Sequence, residues 1–335
     1  MLNSRHKSQS LTPALLASVA FCERFSLSRR RLLHGTGLEP IDLHNSQLAI
    51  SFEQQRRLFK TISQLRPEPD SAFILAEHLL YEQANLLASL SNSNRLGQAL
   101  RILNAHCFRY SPLMLAQSFI TAQRVEIYYS PMFDIPSAHS QFMAEFQSYL
   151  LAHTLKRLTG HWVKSWFNFS HARPKNVMEY EQRLGTRLQF NQPAFSVVFE
   201  KKWLNFKFSE VNTWRARRVI SEYQKRDDGL PTTPQLIMQL IRNERFSNLE
   251  QVADLLGMSK ATVKRKLSDY GLSFQGLHDS VRKHQALHWL QQPGYSNEQV
   301  AEYLQYSDVT NFRRAVKRWT GYTPSQIKQL LVSWT

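Results

Sequence analysis

The sequence predicts an α+β N-terminal domain followed by an all-α C-terminal domain with two helix-turn-helix units joined by a connecting helix. The first observation is a repeat: residues 250–256 (EQVADLL) recur as 298–304 (EQVAEYL), and each copy leads through a short turn into a basic helical stretch. The second is the texture upstream of the repeat. There, stretches of helical period enclose short segments such as Trp162–Phe169, in which aromatic and polar residues alternate as in a half-buried strand.

A chain of 335 residues is too long for one typical domain, so we predict two domains, joined by a linker. Residues 1–200 are the expected α+β domain, 201–234 a basic linker and 235–335 the helix-turn-helix domain. The glycine and prolines of residues 227–234 break any helix. The basic residues of the linker form a solvated helix face in the simplest interpretation, with contact to a nucleic-acid backbone as the alternative: Lys201, Lys202, Lys207, Arg215, Arg217, Arg218, Lys225 and Arg226.

The first half of the N-terminal domain is predicted to be helical. Residues 11–34 form one amphipathic helix with Leu15 and Leu16 on its apolar face. The following Gly35-Thr36-Gly37 is interpreted as a helix C-cap and turn, because a phosphate-binding loop needs a third glycine and a preceding strand. Further helices are expected at residues 51–65, 71–88 and 96–109.

The second half of this domain is predicted to contain a sheet. Its aromatic residues are assigned to the core, where such stripes usually lie, and lining of a ligand pocket is the alternative. We expect a hairpin of residues 117–122 and 124–129 and a helix at residues 142–158. Three further strands are expected at residues 162–169, 187–190 and 195–199.

Composition favours a nucleic-acid partner. The formal charge of +16 implies a polyanion, nucleic acid before membrane, although most of the excess lies upstream of residue 235. Two cysteines, Cys22 and Cys107, are too few for a disulfide framework or a thiolate metal site, which fits a reducing cytoplasm. The apolar run at residues 11–22 contains Pro13 and continues into charged residues, so a secretory signal is not favoured. No stretch approaches about 18 uninterrupted apolar residues, so no membrane partner is expected.

In the first unit, Ser247 and Glu250 are predicted to form a capping box at the start of an apolar helix. Gly257 occupies the turn, which favours a positive φ. Val263 and Leu267 bury the second helix, so its remaining residues point outward, towards a DNA groove. Those predicted to read bases are Ala261, Thr262, Lys264 and Arg265, and those predicted to contact phosphates are Lys260 and Lys266.

The second unit repeats this plan with a turn that is one residue longer. Ser296 is expected to cap its first helix with Gln299 at the third position. The second helix is buried by Phe312, Val316 and Trp319, which leaves Thr310, Arg313, Arg314 and Lys317 facing outward.

The units are joined by a predicted helix over residues 277–292, ended by Pro293-Gly294. A rigid connector lets two recognition helices enter successive major grooves about 34 Å apart. His284 and His288 have the i, i+4 spacing of metal ligands, but no third ligand is near them in the sequence, so we predict a structural role. No metal or cofactor is expected.

Residues 235–332 resemble the C-terminal DNA-binding domain of the AraC/XylS family of bacterial transcription regulators. The resemblance rests on Val300-Ala301, Tyr306-Ser307, residues 311–315 (NFRRA), residues 317–321 (KRWTG) and Thr323-Pro324. It implies base reading by Ala261, Lys264 and Arg265 in the first unit and by Val309, Thr310, Arg313 and Arg314 in the second. Two departures are Gln305, where the family usually has glycine, and Val316, where phenylalanine is common. Gln305 at a positive-φ position is expected to cost on the order of 1 kcal/mol.

Residues 12–200 resemble the arabinose-binding-like domain of the subgroup that contains ornithine-utilisation and virulence regulators. The resemblance rests on Gly35–Leu38, on Ile50-Ser51 with Arg57-Leu58, and on residues 173–190. It implies effector sensing or dimerisation rather than a particular ligand. His106, Arg109 and Tyr110 are candidate contacts for an anionic effector, and solvent-facing residues at a helix end are the alternative.

The sequence therefore predicts a cytoplasmic bacterial transcription regulator, with activation expected. It would bind double-stranded promoter DNA and RNA polymerase, and its N-terminal domain would bind a small molecule or form a homodimer. Effector, operator and oligomeric state remain open. No grouping typical of an active site occurs, so we expect no enzyme. The alternatives are an architectural DNA-binding protein without effector control and a recombination enzyme that uses the units for targeting. The turn in the first unit keeps its glycine and the second unit is more basic, so we expect more base discrimination from the first and more phosphate contact from the second.

Overall fold

The computed structural model describes residues 12–44, 48, 50–105, 114–131, 137–208, 233–242 and 248–331. The fold agrees with the predicted class: a mixed N-terminal region with one sheet precedes an all-helical C-terminal region within these residues. No helix in the described parts combines the length and apolarity that a membrane crossing requires.

The N-terminal region begins with helices that follow the apolar periodicity of the sequence. They are α1 (Thr12–Arg24), α2 (Arg29–Leu33), α3 (Phe52–Leu65), α4 (Ser71–Glu82), α5 (Ala84–Leu90) and α6 (Leu96–Ala105), with a 3₁₀ turn at Pro40–His44. Ser51 caps α3 by accepting from Gln54 N–H at 3.2 Å, and the Gln54 side chain returns a bond to Ser51 N–H.

Residues 11–34 were predicted as one helix and instead form two within the described part. α1 ends because Ser26 adopts a φ of +52° and the Leu27 N–H donates to the Cys22 carbonyl at 2.8 Å, which closes the helix end. Ser28 then caps α2. Leu15 is buried as predicted, whereas Leu16 is 43% exposed. The predicted turn after α2 is confirmed, since Gly35 and Gly37 have φ angles of +73° and +72°.

A five-stranded sheet forms the centre of the N-terminal region. Its strands are β1 (Met114–Ile120), β2 (Arg124–Pro131), β3 (Ser165–Asn168), β4 (Leu188–Gln189) and β5 (Phe195–Glu200), in the order β1-β2-β5-β3-β4. The predicted hairpin is confirmed: β1 and β2 are antiparallel, with Gln117 opposite Tyr128. β3 and β4 alone are parallel among these pairs.

Two helices accompany the sheet, α7 (Ser137–Thr159) and α8 (Val177–Leu184). The apolar period of residues 142–158 predicted α7, but α8 was not predicted. α8 buries only Tyr180 and Leu184, one turn apart, which is too few positions for a periodic signal. A 3₁₀ turn at Lys201–Asn205 follows β5, and Lys207 after it forms an isolated β-bridge with Arg95.

The described C-terminal residues form α9 (Thr233–Arg242), α10 (Leu249–Leu255), α11 (Lys260–Ser268), α12 (Phe274–Gln291), α13 (Asn297–Tyr303), α14 (Val309–Thr320) and α15 (Pro324–Leu331). The helix pair α10–α11 is the first predicted unit, α13–α14 is the second, and α12 connects them.

The sheet is buried on both faces, and the two faces meet different regions. Val125 and Ile127 on β2 belong to the main apolar core, which continues into the first unit through Val263 and Leu267. The opposite face of β2 carries Tyr128, which joins the core of the second unit. The N-terminal sheet is therefore packed directly against the helix-turn-helix region.

Candidate nucleic-acid interface

The first unit is stabilised by buried apolar residues and by helix caps. Val252, Ala253, Val263 and Leu267 are buried between α10 and α11, as their spacing predicted. The cap of α10 is Asn248, whose side chain accepts from the Gln251 N–H at 3.0 Å. The predicted cap, Ser247, lies outside the described residues. Ser259 caps α11 by accepting from the Thr262 N–H at 3.1 Å.

The second unit has the same construction. Ser296 and Gln299 form the predicted capping box of α13, and Asp308 caps α14 by accepting from the Asn311 N–H at 2.7 Å. That hydrogen bond lowers the pKa of the Asp308 carboxyl below its ordinary value. Phe312 and Val316 are buried as predicted, and Trp319 is half-buried.

Both turns close with the same backbone hydrogen bond. In the first, the Met258 N–H donates to the Ala253 carbonyl at 2.9 Å, and in the second the Tyr306 N–H donates to the Ala301 carbonyl at 2.9 Å. Gly257 and Gln305 occupy the corresponding left-handed positions with φ angles of +61° and +56°. The second turn is one residue longer because Asp308 is inserted as a cap before α14.

The exposed face of α11 is basic. Lys260, Ala261, Lys264 and Arg265 are exposed, whereas Thr262 and Lys266 are half-buried. Thr262 takes part in capping, since its hydroxyl lies 2.9 Å from Ser259 Oγ. Lys260 forms an ion pair with Glu250 at 2.6 Å. Lys264 and Arg265 make no ion pair with any residue that the structure describes, so their charged groups are available to a ligand.

The exposed face of α14 is also basic, but its arginines are more engaged. Thr310, Arg313, Arg314 and Lys317 are exposed, and Val309 is half-buried against the core of the second unit. Arg313 lies 3.4 Å from the Glu298 carboxylate. Arg314 interacts electrostatically with Asp308. The two helices thus both expose basic residues, but they differ in which of these residues are already in an ion pair.

α12 positions both faces. It packs against α13, α14 and α15 on one side and against α9 and β1 on another. Its two histidines contact the sheet: His284 Nε2 lies 2.9 Å from Ser130 Oγ, and His288 Nδ1 lies 2.8 Å from the Glu126 carboxylate. Burial lowers the pKa of His284 well below its ordinary value, which keeps the ring neutral. Each histidine therefore has a partner on the sheet.

Sequence reasoning missed this contact. Glu126, Tyr128 and Ser130 are alternate residues of β2, so they share one face of the sheet, and the amide of Gln291 on α12 bonds to the Tyr128 hydroxyl. Phe119 stacks on the His288 ring with centroids 4.3 Å apart. The available sequence signal was the alternation of polar and apolar residues along β2. It did not indicate which element covers the polar face of the strand.

Other predicted contacts lie partly outside the described residues. His106, Arg109 and Tyr110 are all outside them, as are the linker residues from Arg215 to Arg226. Of the described linker cations, Lys202 is paired with Glu200 at 2.6 Å.

Comparison with known proteins finds a matching family model for each of the two regions. Residues 27–208 match the family model of the arabinose-binding domain of AraC transcription regulator, N-terminal, and residues 252–329 match a helix-turn-helix domain model. The chain is 26% identical over 328 residues to the ornithine utilization regulator of Pseudomonas aeruginosa, covering 94% of each protein. It is 28% identical over 168 residues to the HTH-type transcriptional regulator VirS of Mycobacterium tuberculosis, covering 48% of this chain and 49% of that protein.

Among solved structures, the transcriptional regulator CdpR from Pseudomonas aeruginosa aligns with 18% identity and a TM-score of 0.47, covering 98% of this chain and 100% of that chain. The matched families and relatives are transcription regulators, not enzymes.

Proposed function

We propose, for a chain that belongs to the AraC family of transcription regulators, that α11 and α14 recognise promoter DNA by entering successive major grooves. The observation that carries the proposal is the pair of exposed basic faces at corresponding places on two helices whose opposite faces are buried. A groove-reading helix needs both properties, because one face must pack on the protein while the other meets base edges.

The two faces are assigned different shares of the recognition. Lys264 and Arg265 have no ion pair with a described residue, so their donors can reach base edges, with Ala261 and Thr262 beside them; Lys260 and Lys266 flank them and suit phosphates. In the second unit, the ion pair of Arg313 with Glu298 favours a larger share of phosphate contact. The residues assigned to DNA contact there are Val309, Thr310, Arg313, Arg314 and Lys317, of which the first four are the base-reading positions.

The N-terminal region is proposed to control this binding. Its assignments are an effector-sensing or dimerising domain at residues 1–200 and a basic linker at 201–234 before the DNA-binding domain at 235–335. The support is the packing of β2 against α12, which gives any change in the sheet a physical route to both units. We further propose that the chain acts in the bacterial cytoplasm as an activator that contacts RNA polymerase and forms a homodimer.

A selected-site footprint tests the proposal. Duplexes would be selected from a random pool by the full chain at about 200 mM salt, where non-specific binding has faded, and the winning site would be footprinted. We expect protection of two major-groove segments on one DNA face, about one helical turn apart. Failure to enrich any sequence would overturn the proposal in favour of an architectural protein, and protection of one segment only would remove α11 or α14 from it.

A further inference from the structure

A cavity of about 740 Å³ lies where the sheet edge, α6, α7 and the C-terminal region meet. Its size is that of a small-molecule site. β1 and β2 supply one wall, including Ala116 and Ile127, while Leu150 on α7 and Leu100 on α6 supply others. The cavity is thus built mainly from the N-terminal region.

The C-terminal region closes the same cavity. Met238, Gln239 and Arg242 of α9 and Val281 of α12 are among its lining residues. Arg242 also donates to the Ser118 carbonyl of β1 at 2.6 Å and lies over the Phe119 ring. A ligand in this cavity would therefore touch both regions at the place where they are joined.

The lining has a clear chemical bias. More than half of the lining residues are apolar, and its charged residues are arginines: Arg95, Arg101 and Arg242. Neither Asp nor Glu is among the described lining residues. All three arginines are exposed by residue surface area. Partial burial nevertheless lowers the pKa of the Arg242 guanidinium below its ordinary value, so this group is partly desolvated.

Gln117 adds an unused hydrogen-bonding group. It lines the cavity, is 3% exposed, and neither its amide oxygen nor its amide nitrogen has a hydrogen-bond partner among the residues that the structure describes. Leaving a buried amide unpaired costs on the order of 1–3 kcal/mol, so such a group indicates an absent hydrogen-bonding partner.

We propose that this cavity binds an amphipathic organic carboxylate, with its apolar body among the aliphatic residues and its carboxylate at the arginines. This inference rests on the proposed function, since it gives the effector a chemical class and a site. A sugar, which the name of the matched family model implies, is the competing ligand class that the test below separates from a carboxylate. Because α9 and α12 form part of the wall, ligand binding changes the free energy of docking between the two regions.

Binding would be tested on the full chain with three ten-carbon or sugar probes: decanoate, decanol and arabinose. Calorimetric titration should show saturable binding of decanoate, weaker binding of decanol and none of arabinose. Arg242→Gln should weaken decanoate binding by about tenfold or more, because a charge-assisted hydrogen bond is lost, while decanol binding stays unchanged. Arg30→Gln, an exposed arginine on α2 outside the cavity lining, is the matched control and should bind as the unmodified chain does.

Ala116→Phe provides a second test, since a ring at this position on β1 occupies part of the cavity. It should weaken decanoate binding while thermal unfolding remains cooperative. Equal affinity for decanoate and decanol would overturn the assignment of an anion, and arabinose binding without decanoate binding would overturn the ligand class. If no probe binds but the footprint persists, this inference fails alone. If the footprint is absent as well, the proposed function fails with it.

Discussion

At the residue scale, Gln305 and Gly257 hold the same left-handed backbone with different side chains. Their φ angles are +56° and +61°, and an added Cβ at Gly257 would meet no atom within 4 Å. The two turns therefore differ in the backbone strain of the left-handed residue and not in the packing of its side chain. An L-residue in this region is strained by about 1–2 kcal/mol, partly offset by its smaller loss of chain entropy relative to glycine.

A reciprocal pair of substitutions tests this account. Gln305→Gly should raise the free energy of unfolding by up to about 1 kcal/mol, and Gly257→Gln should lower it by a similar amount. Urea unfolding of both variants beside the unmodified chain gives the measurement. A shift of the same sign in both would show that the turn strain is not what separates them.

Also at this scale, Arg265 and Arg313 occupy similar helices but differ in their surroundings. Arg265→Ala should cost about 1–3 kcal/mol at the selected site and relax its base preference. Arg313→Ala should weaken selected and unrelated duplexes more evenly, because Arg313 already lies 3.4 Å from the Glu298 carboxylate. Competition binding against scrambled duplexes measures both, with Arg30→Ala as the charge-matched control. Equal loss of base preference in the two variants would contradict the unequal shares.

At the element scale, the contact between α7 and α8 contains a buried acid. Glu145 is 5% exposed and accepts hydrogen bonds from the Tyr180 hydroxyl and from Gln141 Nε2, the latter at 2.8 Å. Burial raises the pKa of Glu145 to about 7, against the lowering effect of these bonds. The folded chain therefore keeps this proton at a pH where the unfolded chain has released it.

This contact should make stability fall as pH rises. The stabilisation from the Glu145 proton is complete below the unfolded pKa near 4.5 and is lost as pH rises to about 7, by up to about 3 kcal/mol. Glu145→Gln, which cannot ionise and keeps an acceptor for both partners, should flatten this change and be more stable than the unmodified chain at pH 8. Urea unfolding at pH 5 and pH 8 measures it. Glu181→Gln, an exposed acid on α8, should leave the pH dependence in place.

The helix-turn-helix units were predictable because their determinants are local. Within each unit, the turn residue with positive φ and the buried residue of the second helix, Val263 or Phe312, lie within about twenty residues of the start of the first helix, and in the second unit so does the predicted cap, Ser296. The docking of α12 on β2 was not predictable, because Glu126 in a strand looks like an ordinary solvent-facing residue. Periodicity identifies which residues share a face, but a contact between distant segments such as β2 and α12 leaves no periodic signal. The same limit hid the cavity, whose walls come from several separate elements.

At the scale of the whole molecule, the two regions are held together at both units. Near the first, the ring of Phe52 on α3 lies 6.1 Å from that of Tyr270 after α11. Near the second, the Tyr322 hydroxyl donates to the Asn191 carbonyl at 3.0 Å. Between them, α12 lies on the sheet through His284 and His288. A rearrangement of the sheet would therefore act on the relative placement of both recognition helices rather than on one alone.

The pair of Glu126 and His288 should be the most sensitive point of this docking. Glu126 is 2% exposed and His288 8% exposed, so removal of one partner leaves the other buried with a polar group unpaired. His288→Phe retains a ring to stack on Phe119 but no donor, and it should lower the free energy of unfolding by about 3–5 kcal/mol because the Glu126 carboxyl is left buried without its partner. The double variant Glu126→Leu with His288→Phe removes both polar groups and should recover most of that loss. Urea unfolding compares the three chains, with Glu302→Leu on the exposed face of α13 as control. A double variant no more stable than the single one would mean that the loss came from packing, and that the polar pair does not hold the regions together.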